Sequence, residues 1–238
     1  MTVSEQELSL ALEVLGPAKQ HACLDDVRGQ TSVFYLDHWK KRWPAVLELP
    51  AILNRPEPKL SVSRDNLFTL GESIETEDDA VRFYVAVCAW GAGSSAQQVD
   101  RCLRPLGEID APQRLLTGLR LAKTETADEG YRAFNNYNRN RIKFLGPAFF
   151  TKLLYFAAGS PKETDTRHPL ILDMKVARSL GWKKTSGWST DEYTHYLDVV
   201  EELQRRWRPE LPTDVIEYTL FYGGAIAPCP NILSTPGH

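Results

Sequence analysis

The chain has 238 residues, with 28 Lys and Arg against 31 Asp and Glu and a net charge of −3 at pH 7. Its 42% hydrophobic and 25% charged content excludes a disordered or fibrous chain, and at this length it can bury a sizeable core. The slight acid excess argues against a broad nucleic-acid-binding face, although local basic patches escape that argument. No apolar run approaches a membrane span, and a basic start followed by an apolar stretch is lacking, so the expected location is cytoplasmic, with no membrane partner.

Apolar residues at helical spacing predict a first helix from Ser4 to Leu15. The stretch Leu49 to Asn66 carries Pro50, Pro56 and Pro58 with little periodicity and reads as an extended connection or loop. Helical periodicity returns from Asp78 to Trp90, where Ala80, Phe83, Tyr84, Val87 and Cys88 share one face. Further helices are expected over Ser95 to Leu106, Ala111 to Leu121, Ala127 to Arg141, Pro147 to Ala158, Met174 to Leu180, Asp191 to Arg206 and Asp214 to Tyr222. The class is therefore all-α. One unit over residues 1–238 is expected, with residues 1–60 either part of it or an N-terminal lobe of their own.

The four cysteines, Cys23, Cys88, Cys102 and Cys229, form no C-x-x-C pair, and His21, His38, His195 and His238 lack ligand spacing. Reduced thiols, no metal and no cofactor are expected. Glu201 and Glu202 with Arg205 and Arg206 read as an ion-paired helix exterior.

The chemistry points to the run from Leu145 to Ala158, where Lys152 stands among Phe149, Leu153, Leu154, Tyr155 and Phe156. Such surroundings disfavour a charged amine, lowering its pKa and populating the nucleophilic form. On an amphipathic helix the bland alternative is a lysine whose stem packs while its amine reaches water. Asp173, after Leu170-Ile171-Leu172, sits where a helix N-cap belongs, which would fix its carboxylate in space. His168 and Asp165 lie in the loop before it. A Gly146-Pro147 turn between two predicted helices makes a helix-hairpin-helix arrangement, whose backbone N–H groups suit a phosphate. Gly146 and Ala148 would supply such contacts, and Arg139, Arg141 and Lys143 would add charge beside them.

A hairpin followed by Thr151-Lys152, then an Asp opening the next helix 21 positions after the lysine, resembles the helix-hairpin-helix DNA glycosylases, especially the 8-oxoguanine DNA glycosylases. The resemblance is carried by residues 131–181, which would form the catalytic core. It implies a helical bundle acting as a monomer on double-stranded DNA with a damaged base, in the nucleoid. It also implies that Lys152 attacks C1′ to form a Schiff base while Asp173 activates it or steadies charge on the sugar. One departure is plain: Gly146-Pro147-Ala148-Phe149 replaces the two-glycine Pro-Gly-x-Gly hairpin of that superfamily. Base excision requires holding the flipped base between flat or apolar side chains, and Trp90 and Phe149 are the candidates. The rivals are a glycosylase for another modified base, including one in foreign DNA, and a non-catalytic helix-hairpin-helix DNA-binding module.

Overall fold

The computed structural model describes residues 2–20, 22–135 and 140–224. Along the chain lie α1 (Glu5–Leu15), α2 (Leu24–Arg28), β1 (Thr31–Tyr35), α3 (Leu36–Lys40), β2 (Lys59–Ser63), α4 (Arg64–Glu72), α5 (Glu77–Ala92) and α6 (Ala96–Leu103). After them come α7 (Ala111–Thr124), α8 (Ala127–Phe134), α9 (Pro147–Ala158), α10 (Met174–Ser179), α11 (Thr190–Trp207) and α12 (Thr213–Phe221). The molecule is mostly helical, as the periodicity predicts.

Two helices run through the middle. In α5, every residue from Phe83 to Ala89 is buried, and in α9 so is every residue from Phe150 to Ala157. Helix α9 starts with Pro147 in its first turn, where the missing N–H costs nothing, and ends at Gly159 with φ +91, a conformation that favours glycine. Helix α4 crosses α9 at backbone contact: a Cβ on Gly71 would lie 2.3 Å from the Phe156 carbonyl oxygen. Helices α7 and α8 pack against the flank of α9, while α1 packs against α11 and α12.

The sequence reading misses a small antiparallel ribbon, in which Thr31 pairs with Ser63 and Tyr35 with Lys59. Thr31-Ser32-Val33-Phe34-Tyr35 has strand propensity, but its partner lies beyond α3 and a proline-bearing loop, so local pattern alone cannot pair them. Phe34 and Val62 face inward and the ribbon packs on α5. The stretch taken as a connection up to Asn66 thus ends in β2 and the start of α4, whose Ser63 and Asn66 form a capping box. A second correction concerns α8, which stops at Phe134 rather than Arg141. Asn135, a residue type that favours caps and turns over helix interior, leaves it in extended conformation.

The ion-paired exterior of α11 forms as expected and reaches further: Arg206 bonds both Glu202 and Glu5 of α1. No described helix is long and apolar enough to cross a membrane.

Candidate active site

Lys152 and Asp173 meet. The amine lies 4.0 Å from the Asp173 carboxylate and donates to the Ala148 carbonyl at 2.5 Å. Its stem passes over Gly91, where a Cβ would lie in van der Waals contact with the lysine methylenes and the Phe149 ring at 3.4 Å. Phe149 presents its ring 5.6 Å from the amine. Lys152 is buried, with 8% of its surface exposed. Burial lowers the lysine pKa, and the opposing pull of Asp173 and Glu217 does not restore it. A buried amine whose pKa is lowered, beside a fixed carboxylate, has the chemistry of a nucleophile with a charge-stabilising partner.

Asp173 is held twice over. One carboxylate oxygen caps α10, accepting from the Lys175 N–H at 2.9 Å and the Val176 N–H at 3.1 Å, which leaves the other for Lys152. The three residues before it are pinned by hydroxyls. Tyr193 receives the Leu170 N–H and donates to its carbonyl, Tyr196 donates to the Ile171 carbonyl at 2.8 Å, and Thr151 accepts the Leu172 N–H at 3.2 Å. Thr151 therefore ties the segment that delivers Asp173 to the helix that carries Lys152. Tyr193 and Tyr196 escape the sequence reading because hydroxyl-bearing aromatics on a helix resemble ordinary core residues.

Beside this pair lies a second group of buried charges. Arg64 bonds Glu217 at 2.9 Å, Tyr155 at 3.0 Å and Gln30 at 2.7 Å. Tyr155 donates onward to Asp214 at 2.7 Å, which Arg28 approaches to 3.4 Å. Burial pushes the Glu217 carboxyl up to about 7 against the attraction of Arg64, with Asp173 and Asp214 adding to the rise. None of these residues is singled out by sequence, because the partners are far apart in the chain.

Trp90 borders the second group. Its N–H donates to the Gln30 carbonyl at 3.2 Å, its ring meets Phe156 edge-on at 5.3 Å, and the Arg64 guanidinium lies 5.3 Å from the ring. It is half-buried.

The hairpin differs from expectation in detail. The turn falls at Lys143 and Phe144, with Phe144 at φ +68, while Gly146 has extended backbone and serves as the N-cap of α9 without a side-chain bond. Lys143 and Arg141 are exposed, and the Arg141 carbonyl accepts from Arg114. Arg139 lies outside the described residues. The loop residues His168 and Asp165 pair with each other at 3.6 Å, and His168 reaches the Gly159 carbonyl, closing the loop upon itself.

A mostly helical fold with a lysine at a hairpin helix, facing an aspartate at the next helix start, defines the helix-hairpin-helix glycosylase class. The chain matches the family described as "Putative 8-oxoguanine DNA glycosylase OGG-like protein" over residues 25–221, and it belongs to that family. Neither a curated protein nor a solved structure matches it. Membership makes the chain a DNA-glycosylase-like protein with DNA as its substrate class.

Proposed function

We propose that the protein is a base-excision DNA glycosylase with AP-lyase activity that removes 8-oxoguanine through a Schiff base on Lys152. The observation that carries this reading is the 4.0 Å approach of the Lys152 amine to the Asp173 carboxylate in a site where burial lowers the amine pKa.

The neutral amine attacks C1′ of the damaged nucleotide as the glycosidic bond breaks, and the base departs with the bonding electrons and takes up a proton. Asp173 balances the positive charge that develops on the sugar and receives the proton shed by the new secondary amine. Opening of the sugar ring gives an iminium, and loss of a C2′ proton expels the 3′ phosphate. Phe149, whose ring lies 5.6 Å from the Lys152 amine, and Trp90 are the aromatic side chains offered to an extruded base.

The test is borohydride trapping on a duplex carrying 8-oxoguanine opposite cytosine. A covalent adduct with native protein that disappears in Lys152→Gln supports the assignment. An adduct only on abasic or differently modified DNA keeps the lysine chemistry and replaces the base. Absence of adduct on all of them favours a binding module.

A further inference from the structure

At the N-terminal end of α5 an open cleft of about 420 Å³ has Leu49, Val81 and Pro112 among its apolar lining and Glu48, Glu77 and Asp78 among its polar lining. Three separate parts of the chain build it. One is the loop before β2, held by the Trp43 indole N–H, which donates to the Leu47 carbonyl at 2.9 Å. Another is the first turn of α5, and the third is the turn into α7, closed by the Ala111 N–H on the Glu108 carbonyl at 3.0 Å. That last turn holds Ile109 in the cleft lining at 97% exposure. A large aliphatic side chain kept in water beside an apolar cleft leaves hydrophobic free energy that a partner can recover.

The charges around the cleft decide what that partner is. Arg82 also lines it but is already paired with Asp79 at 2.6 Å. Among the described residues Glu48, Glu77 and Asp78 form no ion pair. Glu77 and Asp78 suit the helix N-terminus they begin, whereas Glu48 stands in a loop and has no such role. Three free carboxylates beside an apolar lining repel a nucleic-acid strand or an acidic segment, and attract one that sets Lys or Arg next to apolar residues. The same helix passes under the lysine stem at Gly91, and at the standard helical rise Asp78 and Gly91 are about 20 Å apart along the axis. A short segment seated in the cleft therefore leaves the Lys152 amine uncovered.

We propose that the cleft at the start of α5 docks a partner protein through a short segment whose apolar side chains, flanked by Lys or Arg, cover Ile109 and face Glu48, Glu77 and Asp78. The docking surface stands apart from the lysine site, so the chain can hold a partner and its substrate together.

The experiment measures anisotropy of a fluorescein-labelled peptide of alternating leucine and lysine titrated with the full chain over a salt series. Two control peptides replace lysine by glutamate or leucine by serine. The leucine–lysine peptide binds, the leucine–glutamate peptide does not, and the serine–lysine peptide binds about tenfold more weakly. Ile109→Ser weakens binding about fivefold with Tm unchanged, because the side chain makes little contact within the fold. Glu48→Gln with Asp78→Asn weakens it about tenfold and flattens the salt dependence. Glu125→Gln with Asp128→Asn, in a separate cleft, leaves it within twofold of the parent. Binding that survives Ile109→Ser unchanged, or that falls equally in the Glu125 and Asp128 pair, reduces the effect to general charge attraction and overturns the docking surface. So does equal binding of the leucine–glutamate peptide, or no binding of the leucine–lysine peptide. A dimer in sedimentation that Ile109→Ser dissociates makes the occupant a second copy of the chain and overturns the basic segment.

Discussion

Lys152 and Arg64 are both buried basic side chains, and they are held in opposite ways. Arg64, 1% exposed, is bonded by Glu217, Tyr155 and Gln30 and faced by the rings of Trp90, Tyr155 and Tyr218. Burial works against its charge, yet Glu217 and Tyr155 more than offset that and hold it charged. Lys152 has one carbonyl at hydrogen-bond distance and one carboxylate at 4.0 Å, and its pKa falls. A basic group met by several partners contributes to structure, whereas one left underbonded retains reactivity.

The largest expected effect separates the two. Lys152→Gln eliminates the trapped adduct and any strand scission, while Tm stays within a few degrees, because a poorly solvated amine is exchanged for a neutral group. Arg64→Met does the reverse. It leaves Glu217 buried without its cation and lowers stability by about 3–5 kcal/mol, read by denaturant unfolding. Pairing it with Glu217→Leu recovers part of the loss. A Lys152→Gln protein that unfolds as readily as Arg64→Met would erase the distinction.

Asp173→Asn comes next. Asparagine caps a helix as well as aspartate, so Tm changes little, while loss of the charge slows adduct formation by about 10²-fold in single-turnover assays. Equal loss of Tm and rate would reduce Asp173 to a cap. Thr151→Val removes the hydroxyl that joins α9 to Leu172 and costs about 1–2 kcal/mol, with a smaller fall in rate that the native pH profile should accompany.

The smallest effects are pH slopes of opposite sign. In the fold Glu217 keeps its proton from its ordinary 4.5 up to about 7, so folding takes up a proton there and stability falls as pH rises through that window. Glu217→Gln flattens that slope. Folded Lys152 gives up its proton below the ordinary 10.5, where the unfolded chain still holds it, so stability rises with pH through that alkaline window. Lys152→Gln flattens the second slope and spares the first. Tm measured across pH in both variants checks the pair.

Local sequence was enough to specify the central helices and the two residues brought together. Apolar spacing marks α5, α9 and α11, Pro147 and Gly159 bound the lysine helix, and Asp173 carries its capping role in its position before Met174. Local sequence could not specify the β1–β2 ribbon, whose strands lie on either side of α3, nor the early end of α8. Nor could it locate the hairpin turn, because Gly146 is the residue that local rules select and Phe144 is the one that adopts positive φ. Most of the site's support belongs to the tertiary structure. Arg64, Glu217, Tyr193 and Tyr196 read as isolated polar atoms along the chain, and become partners of the site only when α4, α9, α11 and α12 pack. Helix periodicity and caps act over a few residues, whereas the desolvation that lowers the Lys152 pKa and the hydroxyls that fix Asp173 depend on neighbours tens of residues away.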